Sequence, residues 1–195
     1  MFSPMSLRFM TYLRSSLLLL ALGLLLQVSP VQAQEAVFGE RVVDPGVKFT
    51  FLAAPKDDVA PAGQHLPENR TDIHLEVLAG WTEDISDEVG ASAGAFVPYL
   101  HLFGHVTNQE TGQTTKVSLV PHINQSDNAH YARNVSLPGA ADDPYTVTFE
   151  VHPPQTFELA YHSDWQEAYG TPLFESFTVT YEDLQLSEVA QATRD

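Results

Sequence analysis

Two histidines eight residues apart, His122 and His130, bracket a polar stretch within Val120–Asn134, VPHINQSDNAHYARN. Asn124, Gln125, Ser126, Asp127 and Asn128 between them are turn formers, so the stretch reads as a loop able to close both rings on one ion. Upstream, Asp72–Leu78 alternates: Ile73, Leu75 and Val77 take one face of a strand, leaving His74 and Glu76 together on the other. That pair offers a nitrogen and an oxygen to the same ion; a solvated outer strand face is the ordinary alternative. His162 follows the run Thr156–Tyr161 and precedes Asp164, which could orient its ring. His101 and His105 share a face with Tyr99 and Phe103 and read as surface or interface residues, His152 as structural and His65 as a loop residue.

The donor chemistry is restricted. The chain has no cysteine, and its three methionines, Met1, Met5 and Met10, all lie near the N-terminus. Any metal site further along must therefore be built from nitrogen and oxygen. No serine sits in a Gly-x-Ser-x-Gly elbow and no glycine-rich phosphate loop follows a strand, so the residues point to a binder rather than an enzyme.

Residues 1–33 read as a secretory signal peptide. Arg8 and Arg14 precede the apolar run Leu17–Leu26, and Val31-Gln32-Ala33 is a small-x-small cleavage signal. Ten apolar residues fall short of the roughly 20 that span a bilayer. Cleavage after Ala33 leaves 162 of the 195 residues, enough for a single domain over 34–195. It removes two of nine basic residues and none of the 25 acidic ones, so the exported chain carries a net charge of −18. Nucleic acid and anionic membrane are repelled by such a surface, whereas cations are attracted. Asn69, Asn124 and Asn134 head glycosylation sequons, which are frequent by chance.

The elements that must position these residues are strands. Lys48–Leu52, Asp72–Leu78, Phe96–Thr107, Thr114–Val120, Tyr145–His152, Thr156–Tyr161 and Phe174–Tyr181 follow a period of two, separated by turn signals such as Glu110-Thr111-Gly112 and Pro153-Pro154. Seven or eight short strands predict an all-β, immunoglobulin-like antiparallel β-sandwich. Ser86–Ala95 reads as a mobile surface loop and Glu188–Asp195 as a frayed tail.

The segments TDIHLEVLAG, FVPYLHLFGHV, VPHINQSDNAHY, TFEVHPP and AYHSDW, in this order, resemble the periplasmic iron-transport protein family over about Val42–Leu186. The resemblance implies a dimeric, immunoglobulin-like, copper-binding periplasmic protein that accompanies a ferrous-iron permease. By matched position it implies metal ligands at Glu76, His130 and His162, with His74 beside Glu76. Where many members carry methionine after Met-Pro, this chain has Val120-Pro121-His122. A thioether favours Cu(I), and an imidazole favours Cu(II), Zn(II) or Fe(II). The expected set is therefore His122, His130, His162 and Glu76 with His74 as a fifth or outer ligand, and Cu(II) and Fe(II) are the expected ions. A copper-dependent Fe(II) oxidoreductase using the same residues is the alternative reading. Imidazoles bind metal only when neutral, so affinity is expected to fall as pH drops through roughly 6.5.

Overall fold

The computed structural model describes residues 35–193; the expected leader lies outside them. The strands are β1 (Ala36–Val43), β2 (Val47–Pro55), β3 (Ile73–Trp81), β4 (His101–Asn108), β5 (Thr114–Asn124), β6 (Asn128–Val135), β7 (Tyr145–His152) and β8 (Phe177–Leu184). Three short helices accompany them: α1 (Glu83–Val89), α2 (Ser163–Ala168) and α3 (Ser187–Gln191). The strand order is β1-β2-β3-β6-β5-β4-β7-β8, with every pair antiparallel. The all-β expectation holds.

The eight strands form one nearly closed, barrel-like sheet in which β5 belongs to both halves. Its first part, Thr114–Leu119, pairs with β4, and its second, Val120–Asn124, pairs with β6. Pro121 falls in the second part, which has a strand neighbour on one side only, where a residue lacking an N–H is tolerated. At the other end the edges β1 and β8 nearly meet: the Phe38 and Tyr181 rings lie 5.9 Å apart. Gly39 permits this approach, because a Cβ there would stand 2.8 Å from Tyr181 Cε1.

Alternation places Val47, Phe49, Phe51 and Ala53 of β2, Ile73, Leu75 and Val77 of β3, and Tyr145, Val147, Phe149 and Val151 of β7 in one core. Phe51 meets Phe149 across it at 4.9 Å. Buried Tyr131 ties the irregular stretch before β4 to this core, donating to Val97 O at 2.8 Å and accepting from Leu100 N at 3.0 Å. Burial pushes its phenol up to about 12, so the donor persists across the neutral range. Tyr131→Phe removes the hydroxyl both groups use, and thermal unfolding should show a loss of about 1–3 kcal/mol; an unchanged Tm would refute this role.

Several local expectations are corrected. Thr156–Tyr161 is not a strand: after Pro153-Pro154 the chain turns, with Glu158 N and Leu159 N both donating to Gln155 O. Phe96–Leu100 lies outside β4, which starts at His101. Part of the expected Ser86–Ala95 loop is α1, ended by Gly90 in the left-handed conformation. The tail forms α3 and buries Leu186, Val189 and Ala190 rather than fraying.

Candidate metal centre

The site lies on the face of β3, β6 and β5 turned away from the core residues Leu75 and Tyr131. Register dictates its members. His74 pairs with Asn134 and Glu76 with Ala132 across β3–β6, while Val120 pairs with Ala132 and His122 with His130 across β5–β6. A period-two chain therefore carries His74, Glu76, His122, His130 and Asn134 on one face. The expected loop between His122 and His130 is a tight hairpin instead, and His130 is a strand residue. Asn128, at φ 63°, takes the left-handed position that closes such a turn, and Asn124 and Asp127 bond each other across it.

His74, His122 and His130 each offer a ring nitrogen, and these atoms all lie within 4.8 Å of one another. Second-layer contacts orient two of the rings. Asn134 Nδ2 donates to Asp57 O and Leu66 O, each at 2.8 Å, which turns its Oδ1 toward His74 Nδ1 at 2.6 Å. His74 must donate from Nδ1, so Nε2 carries the lone pair. His130 Nδ1 likewise donates to Asn128 O at 3.1 Å, leaving the lone pair on Nε2. Glu76, fully buried, stands with Oε1 3.8 Å from His74 Nε2. That gap is too long for a hydrogen bond, but donors sharing one ion at about 2 Å stand roughly 3–4 Å apart. Among the described residues, His122 Nε2 is buried without a hydrogen-bond partner. Its pKa is lowered to about 3, first by burial and then by the neighbouring His74, His65, His130 and Arg133. His122 thus stays neutral, as a ligand must, and proton competition at this ring begins far below the expected 6.5.

Asn134→Ala would free His74 to rotate and strand two backbone carbonyls. Copper affinity should fall about 10–100-fold, the usual cost of losing such an outer partner; unchanged affinity by calorimetry would show that His74 needs no such partner. Asn134 is 1 % exposed, which also rules it out as a glycan acceptor in the folded chain.

The chain does not bring every expected ligand here. His162 is exposed, precedes α2, and borders a separate apolar pocket of about 300 Å³ with Trp81, Val97, Tyr161 and Trp165. Asp164 accepts from Trp165 N rather than from the His162 ring. His65, expected to be an ordinary loop residue, stands beside the cluster with its ring 5.0 Å from that of His122; an isolated histidine between turns carries no periodic signal. His101 and His105 lie on the outer face of β4, engaged by Glu158 at 2.7 Å and Glu150 at 3.3 Å.

The chain is similar over most of its length to several known proteins. A UPF0423 protein of Brucella abortus is 28 % identical over 172 residues, covering 87 % of this chain and 91 % of its own. Among solved structures, FetP of uropathogenic Escherichia coli is 28 % identical, with a TM-score of 0.62, covering 77 % of this chain and 95 % of its own. A copper-bound variant of FetP is 26 % identical, with a TM-score of 0.60 over 76 % of this chain and 95 % of its own. Copper-bound P19 of Campylobacter jejuni, 24 % identical over 76 % of this chain and 94 % of its own, shares the fold with a TM-score of 0.62. The Fe2+ transport protein profile matches residues 32–187, and the chain belongs to that iron-transport family.

Proposed function

We propose that this protein is a periplasmic metal-binding component of iron uptake, exported by cleavage after Ala33 and delivering its ion to a membrane iron permease. The observation that carries the reading is the convergence of His74, His122 and His130 beside fully buried Glu76. Imidazole nitrogens and a carboxylate oxygen brought together in this way form a donor set that a divalent cation can bind. Three nitrogens and one oxygen favour Cu(II) in the ordinary affinity series, and Fe(II) is the second cargo. We read the two halves of the sheet as the layers of an immunoglobulin-like sandwich joined at β5.

His162 joins this set from a second copy. It is exposed and outside the cluster of its own chain, and the resemblance assigns it a ligand role. Ile123, next to His122 at the hairpin tip, is 80 % exposed, an apolar residue of the kind a partner covers. Docked near the apolar pocket beside His162, it would carry that imidazole toward His122. Calorimetric titration of the exported protein with Cu(II), then anaerobically with Fe(II), tests the reading. One ion per chain on a sedimenting dimer is expected. Absence of stoichiometric binding of either ion would overturn it, and multiple turnovers of Fe(II) oxidation would replace it with the oxidoreductase.

A further inference from the structure

The pocket that opens onto the cluster, about 510 Å³, is lined at its mouth by Asp57, Asp58, Gln64 and His65 and at its floor by His74 and His130. Burial is graded along that line. His74, Glu76 and His130 are almost wholly buried, while His122 and His65 are partly exposed. The His122 ring lies within 5.0 Å of His65 and 5.1 Å of His74, so it links the half-exposed imidazole to the buried ones.

His65 is engaged in an informative way. Arg133 on β6 donates from Nη1 to Gln64 O at 3.3 Å and lies 3.1 Å from His65 Nδ1. A guanidinium only donates, so His65 Nδ1 accepts. The ring proton then sits on Nε2, and the one lone pair of His65 able to bind a metal is occupied by Arg133. Taking an ion at Nδ1 breaks that bond and leaves the ring otherwise unchanged. The approaching cation also repels the guanidinium, so arrival and release favour each other.

Resting on the metal-binding reading above, we propose that His65 is the capture ligand of this site for a divalent cation. It would receive the ion from solvent and pass it to His122, with Arg133 as the latch that occupies His65 until the ion arrives. The carboxylates of Asp57 and Asp58 at the mouth add long-range attraction. Neither residue belongs to the buried set, so the role is kinetic.

Stopped-flow mixing of the exported protein with Cu(II) ions, beside equilibrium titration, tests this. His65→Ala should slow capture at least about tenfold while the dissociation constant changes less than about threefold, because capture and retention then use different ligands. Arg133→Gln should speed capture. In the double variant that gain should largely vanish, since a latch without a bolt has nothing to release, whereas a purely electrostatic effect of Arg133 would add in full. Equal capture rates for the parent and His65→Ala, or full additivity in the double variant, would overturn the proposal while leaving the metal site intact. A parent protein that binds no Cu(II) would overturn both.

Discussion

Replacing His130 by alanine is expected to weaken Cu(II) binding by more than about 100-fold, beyond the 10–100-fold that loss of an outer-shell partner costs. The ring is nearly fully buried and its Nε2 lone pair is aimed by the Asn128 carbonyl, so its loss removes one of the three converging nitrogens. Glu76→Gln should act in the same direction while preserving shape, because an amide oxygen is a weaker ligand than a carboxylate. His162→Ala should behave differently. A ligand supplied by another copy makes affinity depend on protein concentration, so parent and variant should converge on dilution as dimers dissociate. Calorimetry at two protein concentrations reads all three; binding indifferent to His130→Ala and Glu76→Gln would leave the cluster without its assigned role.

Acid should unfold the metal-free protein through the same site. His122 keeps a pKa near 3 in the fold against an ordinary value of 6.5. Between those values the unfolded chain takes up a proton that the folded chain refuses. Stability from this group is therefore full above pH 6.5, falls as pH drops toward 3, and levels below. One proton gives a slope of about 1.4 kcal/mol per pH unit at most, and partial solvent access reduces the total. Urea midpoints at pH 7, 6 and 5 should fall accordingly, His122→Met should flatten the decline, and bound Cu(II) should shift it to lower pH by mass action. The same variant places a thioether at position 122 and should tighten Cu(I) binding. Parallel pH profiles for parent and variant would exclude His122 as the titrating group.

What was legible beforehand follows physical lines. The alternation in Asp72–Leu78 displays its pairing of His74 with Glu76 because the opposite face is purely apolar. β6 was hidden for the converse reason: His130, Tyr131, Ala132 and Asn134 are all buried, so polar and apolar residues are inside together and no period-two contrast survives. Pro121 made β5 look finished at Val120, when the strand only exchanges one neighbour for another. The role of Asn134 depends on carbonyls of Asp57 and Leu66 more than sixty positions away, which no local pattern encodes. The expectation for His162 came chiefly from resemblance, and the chain places that residue outside the cluster.

The exchange of neighbours along β5 separates two jobs that a strand usually performs together. Thr114–Leu119 borders β4 alone and answers to folding; Val120–Asn124 borders β6 alone and carries the donor proposed for the ion. A change of donor at position 122 thus leaves the pairing of Thr114–Leu119 with β4 untouched. The hairpin is an exchangeable nib on a fixed pen: its donor can be rewritten without redrafting the fold that holds it.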